Sequence, residues 1–238
     1  MCFGAYWQLR CAWAFLGCTC KRIFWSRLPI RYGLVFKSSQ VTAKLPTNLN
    51  PPHLGHIHGG DTPSEWVQKW THLLPKKARV LDLACGQGRH MRYLQGLGHQ
   101  VTGVDRSPQA LEIAAAHGHT VWADIETGPW PFADDGNFDA VVVTNYLWRP
   151  LFASIFKSLA AGGVLIYETF TTGQETLGKP SNPDFLLQTG ELLQVFSGLR
   201  VVAFEDGFLD GPDRFVQRLA AVKPHGVSTS GLPARYSL

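Results

Sequence analysis

Four carboxylates, Asp82, Asp105, Asp124 and Glu168, each stand at or near the end of a short apolar run, where a strand would hand over to a turn. Asp82 is the most telling. It lies within Val80 to Ala84, and Gly86-x-Gly88 follows at once. The stretch A-R-V-L-D-L-A-C-G-Q-G-R-H therefore reads as a buried parallel strand entering a tight turn that exposes backbone. An ionised carboxylate there costs several kcal/mol, on the order of the usual desolvation penalty, unless something pairs with it. The partner can be a ligand cation; the competing reading is a carboxylate that caps the turn. Asp105 comes seventeen positions after Gly88, at the end of the next run. Doubly wound folds hold a ribose by its hydroxyls at that place, and two carboxylate oxygens suit a 2′,3′-diol. Its competing role, capping a helix that starts at Ser107-Pro108, is already filled by Ser107. Asp124 closes a third run and can equally cap a loop.

These side chains need a frame. Apolar runs predict strands over 80–84, 99–105, 118–124, 138–145, 164–169, 199–205 and 215–223, with residues 207–213 connecting the last two. Phe138 to Asn145 is β-branched and nearly continuous, as in a strand covered on both faces. Thr62-Pro63-Ser64-Glu65 reads as a capping box with proline at the first helical position, ahead of an apolar face of Trp66, Trp70, Leu73 and Leu74. Further helices are expected from Arg89 to Leu97, stopped by Gly98, and from Pro150 through Leu151, Ile155 and Leu159 to Gly162-Gly163. Trp130-Pro131-Phe132 should pack beneath the fourth strand. Open α/β sheets bind ligands at the carboxyl ends of their strands, which points Thr144, Asn145 and Tyr146 at the crevice. Phe170 to Glu191 is long and irregular, and its prolines with Phe185-Leu186-Leu187 predict an ordered acceptor-side lid.

Known phosphate-binding turns fit poorly. The dinucleotide fingerprint needs a third glycine or alanine where Met91 stands, and no Gly-Lys-Ser/Thr follows for a P-loop.

Composition narrows the class. The 238 residues suffice for one domain with a full core, plus an appendage. The net charge of +4 is uneven: residues 1–60 carry seven basic residues and no acid, which leaves −3 on residues 61–238. A surface for nonspecific nucleic-acid binding would instead show clustered Lys and Arg, so no nucleic-acid partner is expected. Four of the five cysteines, Cys2, Cys11, Cys18 and Cys20, lie in the basic extension, and only Cys85 belongs to the domain. The domain therefore has no disulfide and suits a reducing, cytoplasmic setting. Residues 1–60 read as disordered or spurious upstream sequence. A transit segment, which would imply an organelle, and a short secretory signal are the alternatives. No stretch is long enough to span a membrane. His53-x-x-His56-x-His58 sits in a Pro/Gly-rich linker and is not read as a metal site. Residues 224–238 are expected to fray, and the oligomeric state is left open.

D-L-A-C-G-Q-G resembles the first motif of class I S-adenosylmethionine-dependent methyltransferases. The segments T-N-Y-L-W-R-P-L, L-I-Y-E-T-F and G-K-P-S-N-P-D-F-L-L are similar to small-molecule enzymes of the tellurite-resistance methyltransferase branch. Ala84 stands where many members carry a glycine, and an alanine resists positive φ. The resemblance covers residues 61–223 and implies a Rossmann-like, doubly wound, mostly parallel seven-stranded sheet with an antiparallel last strand inserted between its neighbours. It implies S-adenosylmethionine as cofactor, held by Asp82, Ala84, Cys85, Gly86, Gly88, Asp105, Arg106, Asp124, Ile125 and Asn145. Asp124 would take the adenine amino group and Ile125 would offer its backbone amide to the ring. It also implies that the N-terminal helix covers the cofactor mouth. A small-molecule acceptor would meet Tyr146, Arg149, Lys179 and Asn182, with Glu168 as general base and Tyr146 stacking or hydrogen-bonding. Two other readings stay open: a protein that binds S-adenosylmethionine without transferring its methyl group, and a nicotinamide oxidoreductase.

Overall fold

The computed structural model describes residues 60–132, 136–225 and 235–238. Most of the basic extension, with its cysteines and histidines, lies outside the described residues, as does most of the tail.

Seven strands form one sheet: β1 (Arg79–Leu83), β2 (Gln100–Asp105), β3 (His119–Trp122), β4 (Phe138–Thr144), β5 (Leu159–Phe170), β6 (Arg200–Asp210) and β7 (Asp213–Val222). Their order is β3-β2-β1-β4-β5-β7-β6. The first five are mutually parallel, and β7 is antiparallel to both β5 and β6, inserted between them. The doubly wound sheet with an inserted antiparallel last strand is thus as expected.

Strand parity divides the side chains between two cores. Leu81, Val141, Val143, Tyr167 and Leu219 face one side, where they meet α4 (Phe152–Ser158) and α5 (Glu191–Val195). Val80, Val142, Ile166 and Ala220 face the other, under α1 (Glu65–Trp70) and α2 (Arg89–Gly96), with α3 (Pro108–Ala114) alongside. Trp130 and Phe132 pack against the first core, the Phe132 ring 5.3 Å from that of Phe138 in β4.

Several boundaries differ from expectation. Ser64, rather than Thr62, caps α1, because its hydroxyl accepts the Trp66 and Val67 amides; Pro63 lies before the helix. Leu159 does not continue α4. It opens β5, pairing with Phe138, and an irregularity in the ladder follows before Val164 meets Ala140. Residues 207–210 and 213 are strand rather than connection, since β6 and β7 pair down to Asp210 opposite Asp213. The third strand ends at Trp122, two residues short of Asp124. At the end of the tail, the Tyr236 ring lies against the second core, 5.7 Å from the Arg200 guanidinium, and Ser237 offers its carbonyl to His72.

Met91 shows how a bulky residue fits a position where a glycine would serve. It is fully buried against Gly103 in β2, where an added Cβ would collide with its sulfur and come within 2.7 Å of the Cys85 sulfur. Gly103 on the neighbouring strand leaves the room that Met91 occupies.

Candidate active site

At the carboxyl ends of the parallel strands lies a cavity of about 610 Å³, lined on one side by Ala84, Asp105, Arg106, Asp124, Ile125, Glu126 and Asn145. Its other side is lined by Tyr146, Leu147, Thr169 and Phe170 from strand ends, and by Lys179, Pro180, Ser181, Asn182 and Phe185 from the segment after β5. Helix α1 contributes nothing to this lining. It is buried against the far face of the sheet through Trp66 and Trp70, so the expectation that it covers the cofactor mouth is corrected.

The turn after β1 is held from both sides. Cys85 donates its amide to Val104 and Gly86 donates its amide to Asp105 Oδ2, at 3.0 and 2.9 Å. These bonds hold Ala84 at φ 53°, contrary to the expectation that alanine would resist that conformation. The strain is on the order of 1–2 kcal/mol. Gly88 caps α2 at φ 80°, where a Cβ would stand 3.0 Å from that of Ala114, so only glycine fits. Cys85 is buried, and burial with the nearby Asp82 pushes its thiol far up, making it a packing residue rather than a nucleophile.

Asp82 is 1% exposed, and its Oδ2 has no hydrogen-bond partner. Burial pushes its carboxyl up to about 7, against the lowering effects of Arg89 and the Met91 amide. An under-satisfied buried carboxylate beside a backbone-exposing turn suits a ligand ammonium, directly or through water. Asp105 spends one lone pair of Oδ2 on Gly86 and one of Oδ1 on the Ser107 amide, at 2.9 and 2.8 Å. Each oxygen keeps a lone pair for a hydroxyl, and the two amides fix their direction. Asp124 does cap its loop. Its oxygens accept the Thr127 hydroxyl at 2.7 Å and the Glu126 amide at 3.0 Å, which hold it below the usual carboxylate range while it still lines the cavity. Ile125 is an apolar wall. Asn145 takes φ 53° and donates its amide to the Glu168 carbonyl, turning the chain out of β4 toward the cavity.

Two expected residues are committed elsewhere. Glu168 is 1% exposed and shares strand parity with Val164 and Ile166, so it points to the α1 side rather than into the cavity. There Ser64 Oγ donates to its Oε1 at 3.1 Å. Arg218, its cross-strand partner on β7, stands 2.9 Å from Oε2 as an ion pair without linear hydrogen-bond geometry, and Arg214 is 3.6 Å away. Arg218 also reaches Glu205 at 3.1 Å. Arg149 likewise does not line the cavity. Its guanidinium forks onto Glu191 at 2.7 and 2.9 Å and donates to the Asp184 and Leu186 carbonyls at 2.7 and 2.8 Å. Burial would raise Glu191, but Arg149 and the Gln188 amide outweigh it and hold the carboxyl low. Arg149 thus pins the segment that carries Lys179 to Phe185.

Tyr146 lines the cavity with its hydroxyl buried beside Glu126. Burial, then that carboxylate, pushes its ionisation far up, so it remains a proton donor. The expectations missed His90, which is 2% exposed; burial and Arg89 lower it to about 3, so it is neutral. Its Nε2 accepts the Ser64 amide at 3.1 Å, which leaves the proton on Nδ1, 3.4 Å from Thr144 Oγ1. Also missed were Arg214, Arg218 and Glu126. A hydrophilic residue at a core-parity position, Arg218 between Gln217 and Leu219, was the available signal.

Residues 80–163 match the family described as a methyltransferase domain. A ubiquinone biosynthesis O-methyltransferase of Burkholderia vietnamiensis is 39% identical over 70 residues, 29% of this chain and 25% of that protein. A tRNA U34 carboxymethyltransferase of Shewanella baltica is 30% identical over 169 residues, 58% of this chain and 50% of that protein. The chain spans about half or less of the length of these curated relatives. Among solved structures, TehB of Haemophilus influenzae superposes with a TM-score of 0.54 at 21% identity, over 66% of this chain and 61% of that one. The domain has the fold of class I S-adenosylmethionine-dependent methyltransferases, the TehB-like branch included.

Proposed function

We propose that this chain is a methyltransferase that uses S-adenosylmethionine and transfers its methyl group to a small-molecule acceptor. The observation that carries the reading is a strand-end cavity with two unlike walls: a carboxylate-rich wall of Asp105, Asp124 and Glu126, and a wall that, among the described residues, holds aromatic, hydroxyl and amide groups with Lys179 and no acid, beneath a pinned segment. About 610 Å³ lies within the roughly 300–1,000 Å³ usual for small-ligand pockets. The net charge of −3 on residues 61–238 supports a small acceptor over a polyanionic one, although one relative is named for a tRNA.

The cofactor, when bound, supplies an electrophilic methyl group on a sulfonium. The chain's own task is then positioning, which can contribute several kcal/mol when reacting atoms are held about 3 Å apart. Asp105 would hold the ribose hydroxyls with its free lone pairs, Ile125 would cover the base, and Asp82 would face the amino end. Asp124 would accept from the adenine amino group. Arg149 and Glu191 would keep the second wall closed and water out, while Tyr146 presents a hydroxyl that keeps its proton at neutral pH.

Titration of the protein with S-adenosylmethionine, S-adenosylhomocysteine, NAD and NADP in a calorimeter tests this reading. The two adenosyl ligands should bind and Asp105→Ala should abolish the heat. A folded protein that binds neither refutes it, and preference for NAD or NADP would turn it to a dehydrogenase.

A further inference from the structure

We propose that the acceptor is a flat, apolar molecule whose nucleophile already bears a negative charge at neutral pH, a thiolate, carboxylate or acidic phenolate, and that Lys179 selects it. The inference deepens the methyltransferase reading and rests on it. The acids among the described lining residues, Asp105, Asp124 and Glu126, belong to one wall, and the oxygens of Asp105 and Asp124 already accept from Gly86, Ser107, Glu126 and Thr127. Among the described residues, the other wall is lined by Tyr146 and Phe185, with Phe170 at the end of β5, and by one cation, Lys179. Among the described residues the Lys179 ammonium meets no carboxylate, whereas Arg149, the neighbouring cation, is consumed by Glu191 and two carbonyls. Rings supply flat apolar contact, and an unpaired ammonium at its edge complements an anion.

The placement of Glu168 points the same way. A neutral phenol, alcohol or ammonium acceptor must lose a proton when it is methylated. Glu168, the one carboxylate at the end of β5, is turned to the opposite face and enclosed by Ser64, Arg214 and Arg218. Tyr146 keeps its own proton and cannot receive another. An acceptor that arrives ionised needs no base. Its lone pair forms the bond to the methyl carbon while the carbon–sulfur bond breaks and leaves its electron pair on sulfur. The acceptor's negative charge and the sulfonium's positive charge are both lost, and no proton is released.

The test uses the full chain saturated with S-adenosylhomocysteine and titrated calorimetrically with benzoate, thiobenzoate and neutral benzamide. The two anions should bind at least tenfold more tightly than the amide, as expected when a charge-assisted contact replaces a neutral one. Lys179→Gln should remove that preference, Lys179→Arg should retain it, and neither should alter S-adenosylhomocysteine affinity. With S-adenosylmethionine, thiobenzoate should give an S-methyl product at a rate that does not rise with pH across neutrality. Equal binding of benzoate and benzamide, no benzoate binding, or a preference that survives Lys179→Gln overturns the proposal. Failure of S-adenosylhomocysteine to bind while the anion preference persists would instead overturn the cofactor reading and leave the anion site standing.

Discussion

Replacement of Asp82 by asparagine should stabilise the protein at neutral and alkaline pH while leaving it little changed in acid. Burial raises this carboxyl to about 7 in the folded chain, and only the Met91 amide and the nearby Arg89 favour its charge. In the unfolded chain it titrates near the ordinary value of about 3.9. Between those values the folded state holds a proton that the unfolded state has released. Stability from this group therefore falls as pH rises from about 4 to about 7, and the loss is complete above that. Three pH units at 1.36 kcal/mol each give roughly 4 kcal/mol as an upper bound. Asparagine keeps the shape and an acceptor for the Met91 amide and does not ionise. Urea unfolding of Asp82→Asn and the parent protein across this range should show a difference near zero at acid pH, growing to between about 1 and 4 kcal/mol at pH 8. Saturation with S-adenosylhomocysteine, whose ammonium would pair with the charge, should narrow the gap. A difference that is flat with pH, or that favours aspartate at pH 8 in the absence of ligand, would refute the buried and unpaired assignment.

Arg149→Gln should loosen the segment it pins. With its side chain about one third exposed, the lost fork onto Glu191 and carbonyl bonds are worth about 1–3 kcal/mol after solvent screening. Hydrogen exchange at Leu186 to Gln188 should accelerate roughly ten- to a hundredfold, with the exchange of β4 unchanged; uniform acceleration would make Arg149 a general stability residue instead. Gly103→Ala should cost about 1–3 kcal/mol by overpacking, because its Cβ meets the Met91 and Cys85 sulfurs. Thermal unfolding checks it, and a Met91→Ala background should recover part of the loss.

The catalytic expectation that failed shows where local reading stops. Glu168 looked like a base because it ends a strand, and strand ends face ligands in this architecture. Its parity with Val164 and Ile166 was visible in the sequence, but the face that parity selects depends on where α1 and α2 pack. Only the β5–β7 register brings Arg218 opposite Glu168, fifty positions away in the chain. Arg149 failed as a ligand-binding candidate for a similar reason, since its partners Asp184, Leu186 and Glu191 arrive through the fold of a long irregular segment. The Ala84 turn shows that a local preference of 1–2 kcal/mol yields to backbone bonds from two strands.

Local periodicity and spacing were sufficient for the strand runs, for the turn after β1 and for Asp105 at a strand end, because each depends on short-range alternation and on which strand end a residue occupies; the strand order and the place of Asp124 came from the family resemblance. The destination of each polar side chain was a tertiary matter. Whether a carboxylate meets a ligand, a cross-strand arginine or nothing is decided by groups brought from distant positions, and that choice leaves Asp82 under-satisfied, encloses Glu168 and keeps Lys179 free of carboxylates among the described residues.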